Sequence, residues 1–201
     1  LVLSLSIPRM GTPKSVQLWT RPLQVQLPRV SVLTPTYNRH QFMPQLLRCF
    51  SAQDYPQELI EWIIVDASEV PVEIEHPSVH YFRAEKQGPQ SIGVMRNQTI
   101  AHATGDVMVN MDDDDYYFTS WVSYAARSVW PTGLAGVIWR YNLDVKDGTV
   151  YKSGPYRKWL SPAGMTAFTR EYSEQYRYGE NGMGRRSDEE IKFTRGYHNP
   201  L

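Results

Sequence analysis

Four consecutive aspartates, Asp112 to Asp115, are the feature of this sequence most suggestive of chemistry. They follow the apolar run 107–111 and precede two tyrosines. Neighbouring carboxylates repel one another, so a folded chain that keeps them together needs something that offsets their charge. A hard divalent cation is one candidate, because it prefers oxygen ligands. The alternatives are a solvated acidic turn and pairing with nearby bases such as Arg83, Lys86 and Arg96.

The spacing within the run bears on how many carboxylates would serve a metal. If strand geometry continued through it, Asp112 and Asp114 would face one way and Asp113 and Asp115 the other. We therefore expect one or two metal-binding carboxylates rather than four. A calcium loop of the helix–loop–helix kind is excluded, because counting from Asp112 places Tyr117 where that loop needs glycine.

Composition limits the class of protein. Lys and Arg together number 21 and equal Asp plus Glu, which argues against a nucleic-acid or anionic-membrane binder. No apolar run approaches the roughly 18 residues of a membrane span, so no transmembrane segment is predicted. The single cysteine, Cys49, excludes an internal disulfide and suits a reducing compartment, so a cytoplasmic location is expected.

Hydrophobic patterning in the first 130 residues predicts strands alternating with helices. The strands are predicted within 29–38, 61–68, 78–84 and 107–111, and the helices within 41–53, 88–106 and 119–130. The second helix is expected to open at Gly88-Pro89 and to end at Gly105. This alternation favours a parallel sheet covered by helices, whose ligands bind beyond the carboxyl ends of the strands. Asp66 and the aspartate run follow two of those ends.

The remaining chain has a different pattern. Residues 136–143 and 148–153 predict a hairpin around Asp147-Gly148, and 163–176 predicts a strand that runs into a helix. Residues 185–196 predict a short helix capped by Ser187. Residues 1–28 contain four prolines and no sustained period, which predicts an extension before a single domain at 29–201.

Four segments, in this order, resemble the GT-A glycosyltransferases of the large inverting family 2. They are "VSVLTPTYN", "GVMRNQTIAHATGDVMVNMDDDDYYF", "AGMTAFTRE" and "SDEEIKFTRG", and the resemblance spans about residues 29–196. The "DDDDYY" form is similar to chlorella-virus-type glycosyltransferase domains. The resemblance implies an α/β, Rossmann-like GT-A fold with a mostly parallel central sheet flanked by helices and a small antiparallel C-terminal portion. It divides the domain into a nucleotide-binding half, 29–115, and an acceptor and catalytic-base half, 116–201.

The resemblance also implies an activity, the transfer of a sugar from a nucleoside diphosphate to an acceptor hydroxyl with inversion. A glycan or another hydroxyl compound would be the acceptor, and Mn²⁺ or Mg²⁺ the cofactor. The processive-synthase motif Gln-x-x-Arg-Trp is absent from the sequence, which favours a single transfer per acceptor. A non-catalytic nucleotide-sugar or carbohydrate-binding module of the same fold is the alternative. The chain is further expected to be one domain of a larger multidomain protein.

Individual site residues follow from the same resemblance. Matching the family's motifs implies nucleotide or donor contacts at Pro35, Thr36, Tyr37, Asp66, Arg96, Asn97, Asp112 and Asp113, and Lys86 is expected to add positive charge to the same site. Asp66 would read the base, commonly uracil, although "VDAS" lacks the second acid that family members often have there. Asp114 would ligate the metal. The acidic pair in "SDEE" would supply the catalytic base, at Glu189 or at Asp188.

Overall fold

The structure is a computed structural model that describes residues 26–130, 132–156, 161–180, 193 and 199–200. The predicted extension 1–28 lies outside this range except for its last three residues, which form no helix or strand. The predicted helix 185–196 also lies outside it, apart from the buried Phe193.

The described residues form nine strands and four α-helices. The strands are β1 Val30–Thr36, β2 Ile60–Asp66, β3 Val79–Arg83, β4 Val107–Asn110, β5 Leu134–Gly136, β6 Arg140–Leu143, β7 Val150–Ser153, β8 Thr166–Thr169 and β9 Asn199–Pro200. The helices are α1 Met43–Ser51, α2 Ile92–His102, α3 Trp121–Ser128 and α4 Arg170–Gln175. Three short 3-10 turns lie at His40–Phe42, Gln57–Leu59 and Ala163–Met165.

Within the described range, seven strands form one sheet in the order β3-β2-β1-β4-β8-β5-β9. The pairs β3-β2, β2-β1, β1-β4 and β5-β9 are parallel, and β8 is antiparallel to both neighbours. The predicted mostly parallel sheet is therefore confirmed. Strands β6 and β7 form a separate antiparallel hairpin, which confirms the predicted small antiparallel part.

Helices cover both faces of this sheet, and the sheet separates the core into two clusters. Alternate strand residues such as Val32 and Trp62 point to one side, where the Phe50 ring of α1 stacks on Trp62 at 4.6 Å between centroids. Leu33 and Ile63 point to the other side, towards Met95 of α2. All seven residues of β1 are buried, as expected for a central parallel strand covered on both faces.

Helix α2 differs from its predicted bounds at both ends. Gly88 has a φ of +95°, so the chain at 88–90 is a loop. The helix begins after Ser91, whose Oγ accepts a hydrogen bond from the Val94 N–H at 3.3 Å. It ends at His102 rather than at Gly105. Gly105 instead packs against β1, where an added Cβ would lie 2.7 Å from the Ser31 nitrogen.

The second half of the chain largely follows its predicted pattern. The predicted hairpin forms, but its first strand is divided, because Leu134–Gly136 joins the main sheet and only 140–143 pairs with β7. The predicted strand running into a helix appears as β8 followed directly by α4. The Thr169 side chain caps α4 by accepting a hydrogen bond from the Tyr172 N–H.

Candidate functional site

A cavity of about 240 Å³ opens at the carboxyl ends of β1 and β2. Thr36 and Asp66, the last residues of these strands, are direct neighbours in the sheet. The cavity is lined by Pro35, Thr36, Tyr37, Arg39, Ala67, Pro89, Gln90, Ile92, Met95 and Asp113. The predicted donor residues Pro35, Thr36, Tyr37 and Asp113 therefore lie around one cavity.

Asp113 joins this cavity to the aspartate run. Its carboxylate is buried and accepts a hydrogen bond from Thr36 Oγ1 at 2.7 Å. Burial raises the pKa of Asp113 to about 6, against the lowering effect of the Thr36 hydrogen bond. The end of β1 and the acidic turn are thus linked directly beside the space that a ligand would enter.

The expected alternation of the aspartates is wrong. Strand β4 ends at Asn110, and the chain turns at 113–115, so strand geometry does not extend through the run. Asp113 is buried towards the cavity, whereas Asp114 is exposed. Asp115 is half-buried, and burial, followed by the charges of Asp112 and Asp114, raises its pKa to about 6. The four carboxylates therefore occupy four different environments.

Asp112 is held by a buried arginine. Arg96 of α2 donates from Nη1 and Nη2 to the two carboxylate oxygens of Asp112, each at 2.9 Å. The Arg96 side chain is only 4% exposed, and its guanidinium carbon lies 5.7 Å from the centre of the Tyr178 ring. Such a bidentate pair fixes orientation as well as charge. Arg96 and Asp112, both predicted to contact the donor, contact each other in this structure.

The backbone of Asp112 is fixed by a second contact. Its N–H donates to the Tyr117 hydroxyl at 2.7 Å, and that hydroxyl donates to the Gly164 carbonyl at 2.9 Å. Gly164 also leaves room for the carboxylate, because an added Cβ would lie 2.3 Å from Asp112 Oδ2. The turn before β8 therefore clamps the start of the aspartate run.

Asn97 and Lys86 lie away from the cavity lining. The Asn97 side chain donates to the Tyr178 carbonyl and to Glu180 Oε1, and it accepts from the Tyr178 N–H. Lys86 lines a neighbouring cavity of about 390 Å³ together with Glu85 and Glu180. This second cavity shares Pro89 and Gln90 with the first. The predicted donor contacts of Asn97 and Lys86 stay predictions.

Asp66 is fully buried below the loop that follows β2. Its carboxylate accepts hydrogen bonds from the N–H groups of Ser68 and Val72, from the Tyr81 hydroxyl and from Arg83 Nη1. Burial by itself raises the pKa of Asp66, but the hydrogen bonds from Ser68, Val72 and Tyr81 outweigh it and hold the pKa below its usual value. The carboxylate orders this loop, and its predicted reading of a base stays a prediction.

Arg39 is the charged cavity residue that sequence reasoning missed. Its Nη1 lies 3.3 Å from Asp114 Oδ2, and both side chains are 43% exposed. The signal was a base directly after "PTYN", but its pairing with a residue 75 positions later is a tertiary contact. Pro89 and Gln90 were also missed, since the loop before α2 was predicted to be helix, and Ile92 and Met95 were predicted only as part of the apolar stripe of that helix.

The acidic turn fits a divalent cation held by few protein ligands. Among the described residues, no group of three or more His, Cys, Asp or Glu side chains is arranged to hold a metal. Asp114 is exposed, however, and Asp115 beside it is crowded by like charges, so a cation would relieve their repulsion. Ions of this type commonly take one or two carboxylates together with waters and substrate phosphates.

Two predictions concern residues or features away from the cavity. The predicted bases Asp188 and Glu189 lie outside the described residues. In the part of the chain that the structure covers, no helix is both long and apolar enough to span a bilayer.

The mostly parallel α/β sheet flanked by helices, with its small antiparallel hairpin, is a GT-A type of fold. The sequence profile described as glycosyl transferase family 2 matches residues 31–191, which is most of the chain. The chain belongs to this family, so the predicted family, fold and glycosyltransferase class are confirmed.

Similar proteins agree with this assignment. The poly(ribitol-phosphate) beta-N-acetylglucosaminyltransferase TarS of Staphylococcus aureus is 27% identical over 97 residues, which is 44% of this chain and 16% of TarS. The mannosyltransferase PcManGT of Pyrobaculum calidifontis, solved with GDP-Man and Mn²⁺, superposes with a TM-score of 0.64 at 19% identity, covering 88% of this chain and 56% of that one. TarS 1-349 with UDP-GlcNAc gives a TM-score of 0.61 at 18% identity, covering 85% and 53%.

The two solved structures are evidence for the fold. At 19% and 18% identity the two structures establish a shared fold. The chain spans a little over half the length of these solved proteins and 16% of the curated relative.

We predict that Gly164→Ala destabilises the protein by displacing Asp112. The added methyl group would overlap the carboxylate, and overpacking of this kind typically costs about 1–3 kcal/mol. The free energy of unfolding, from urea denaturation, should fall by that amount in the wild-type background. In an Asp112→Ala background the same substitution should cost much less, because the two atoms nearest the added Cβ, Oδ2 and Cγ of Asp112, are removed. Equal costs in both backgrounds would contradict the clamp.

We predict that Asp66→Asn destabilises the protein in a pH-dependent way. Because the folded-state pKa lies below the usual value, the carboxylate stabilises the fold at neutral pH and loses this effect as pH falls. The free energy of unfolding should drop by about 1.5–3 kcal/mol at pH 7, the range for hydrogen bonds to charged groups. The difference from wild type should shrink below about pH 4, near the ordinary aspartate pKa.

The exposed Glu69 of the same loop provides the matched control, and Glu69→Gln should leave stability unchanged. A wild-type-to-Asp66→Asn difference that stays constant from pH 7 to pH 3, or grows on acidification, would show that the charge of Asp66 does not stabilise the loop.

Proposed function

We propose that the chain is a metal-dependent inverting glycosyltransferase that moves a sugar from a nucleoside diphosphate, preferably UDP, to an acceptor hydroxyl. The observation that carries this proposal is the cavity at the carboxyl ends of β1 and β2, with Thr36 and Asp113 in its wall and Asp114 beside it. Ligands of open parallel sheets bind at this edge.

The donor would occupy this cavity with its base towards β1. Pro35 and Tyr37 line the cavity and offer apolar surface to a planar base. TarS has been solved with UDP and with UDP-GlcNAc, and PcManGT with GDP-Man, so the structural neighbours bind nucleotide sugars with different bases. Our preference for UDP rests on the family resemblance at Asp66.

Asp114 would hold Mn²⁺ or Mg²⁺, with Asp115 nearby and donor phosphate oxygens completing the shell. When bound, such an ion neutralises the negative charge that collects on a departing diphosphate. Asp114 is the exposed carboxylate of the turn, whereas Asp112 is paired with Arg96 and Asp113 is hydrogen-bonded to Thr36. Asp114 has only an exposed ion pair with Arg39, and this difference supports Asp114 over Asp112 and Asp113 as the ligand.

The acceptor would be activated by one acid of the pair Asp188 and Glu189. As the hydroxyl oxygen attacks the anomeric carbon, its proton would pass to a carboxylate oxygen, a form of catalysis typically worth about 10²- to 10⁴-fold in rate. The bond to the diphosphate oxygen breaks as the new glycosidic bond forms. One displacement inverts the anomeric centre, so no covalent intermediate on the protein is needed.

Wider properties follow as part of the same proposal. We expect one transfer per acceptor, because the processive motif is absent from the sequence. A glycan or another hydroxyl compound would be the acceptor, in a cytoplasmic setting, with this chain acting as one domain of a larger protein. The single cysteine agrees with a reducing compartment.

We predict that Asp114→Asn abolishes Mn²⁺-stimulated release of nucleoside diphosphate. Wild-type protein should release UDP or GDP from at least one member of a panel of UDP- and GDP-sugars. It should also melt at a higher temperature with Mn²⁺ plus UDP, since a ligand that binds only the folded state stabilises it. Both effects should be lost in Asp114→Asn, because the cation would lack its carboxylate.

Asp147→Asn is the matched control, because it removes an exposed carboxylate from the β6–β7 hairpin. It should retain both effects. Nucleotide binding without turnover of any donor would support the non-catalytic binding module instead, and full turnover by Asp114→Asn would refute its role.

We predict that only one of Glu189→Gln and Asp188→Asn loses sugar transfer. The variant that removes the base should lose at least about 10²-fold in the transfer rate, the lower range for a general base. Its UDP affinity, measured by calorimetry, should stay at the wild-type value, because the base acts on the acceptor. Wild-type transfer rates in both variants would place the base elsewhere in the chain.

A further inference from the structure

The Arg39–Asp114 pair links a base on the cavity wall to the proposed metal ligand. Arg39 lines the cavity, and its Nη1 lies 3.3 Å from Asp114 Oδ2. The two aspartates before it have other partners, since Asp113 accepts a hydrogen bond from Thr36 and Asp112 pairs with Arg96. Asp114 is thus neutralised in this structure by a residue that also faces the nucleotide cavity.

The backbone that carries Arg39 is fixed. Asn38, just before it, has a φ of +53°, a left-handed conformation that asparagine tolerates better than most residues. The Asn38 N–H donates to Ser68 Oγ at 2.8 Å, and the Arg39 carbonyl accepts from the Phe42 N–H at 3.0 Å. The main chain is therefore anchored on both sides of Arg39, while the guanidinium contacts Asp114 and lies 5.5 Å from the centre of the Phe42 ring.

That side chain is held weakly. Both members of the ion pair are 43% exposed, and an exposed pair contributes little to stability because water competes for both charges. A divalent cation at Asp114 would take the carboxylate and repel the guanidinium. The displaced group would still lie at the cavity wall, where a bound diphosphate offers pairs of oxygens that the planar guanidinium fork can contact bidentately.

Arg96 is less suited to this exchange. It is buried, and both of its terminal nitrogens donate to Asp112, so moving it would break the bidentate pair that holds the start of the aspartate run. Arg39 has an exposed partner and an anchored backbone. The two arginines therefore have different capacities, one to hold the acidic turn and the other to change partner.

We propose that Arg39 exchanges partners during donor binding. It pairs with Asp114 in the ligand-free protein and moves to the diphosphate of the donor when a divalent cation takes Asp114. Arg39 then binds the donor, and in the ligand-free protein it occupies the position beside Asp114 that the cation would take. This inference rests on the proposed function, since it requires a nucleoside diphosphate and a cation at this site.

Arg39→Ala should change the two affinities in opposite directions. Mn²⁺ alone, measured by electron paramagnetic resonance, should bind about 2- to 5-fold more tightly, because it no longer displaces a cation from Asp114. UDP and GDP at saturating Mn²⁺, measured by calorimetry, should bind about 10- to 100-fold more weakly, because a charged contact to phosphate is lost. Arg48→Ala removes the same charge from the exposed side of α1, away from the cavity, and should change neither affinity.

The contrary outcomes distinguish failure of the Arg39 exchange from failure of the proposed function. Unchanged affinities in Arg39→Ala, or weaker binding of both Mn²⁺ and nucleotide, would overturn the exchange while leaving the proposed function intact. Wild-type protein that binds Mn²⁺ but neither UDP nor GDP would instead sink the proposed function, and the role of Arg39 with it. Failure of Mn²⁺ to bind either protein while nucleotide binding is retained would also overturn the exchange.

Discussion

The bidentate pair between Arg96 and Asp112 is the contact on which the arrangement of the site depends. Four adjacent carboxylates at the end of β4 can coexist only if some of their charge is offset, and Arg96 does this for the first of them from a buried position. The dependence is mutual, because a buried guanidinium without its carboxylate would be costly. The pair ties α2 to the end of β4, and Tyr117 and Gly164 tie the same point to the segment before β8.

This anchoring gives the aspartates separate roles. With Asp112 committed to Arg96, the chain turns at once, which buries Asp113 against Thr36 and leaves Asp114 exposed next to the cavity. Burial, followed by the charges of the neighbouring aspartates, raises the pKa values of both Asp113 and Asp115 to about 6. The proposed position of the cation is Asp114, which is the exposed carboxylate of the run and whose ion pair with Arg39 is itself exposed.

Most of the fold could be predicted from the sequence, because the central strands are buried on both faces. The short apolar runs at β1, β2 and β4 are typical of central strands, and their alternation with helices favours a parallel sheet. The antiparallel insertion of β8 between β4 and β5 was not predictable, because it depends on pairing between distant segments. The alternation of the aspartates failed for a local reason, since the strand stops at Asn110. Arg39 was missed because its partner is set by tertiary structure.

The central claim is that one cavity, at the edge formed by β1 and β2 and bordered by the acidic turn, binds the nucleotide and the cation together. A crystal structure of the protein soaked with UDP and Mn²⁺, with anomalous data at the manganese edge, tests it most directly. The account predicts an anomalous peak at Asp114 and the nucleotide inside the cavity, in contact with Thr36 and Tyr37. Manganese at another carboxylate cluster, or UDP in the neighbouring cavity beside Lys86 and Glu180, would contradict it.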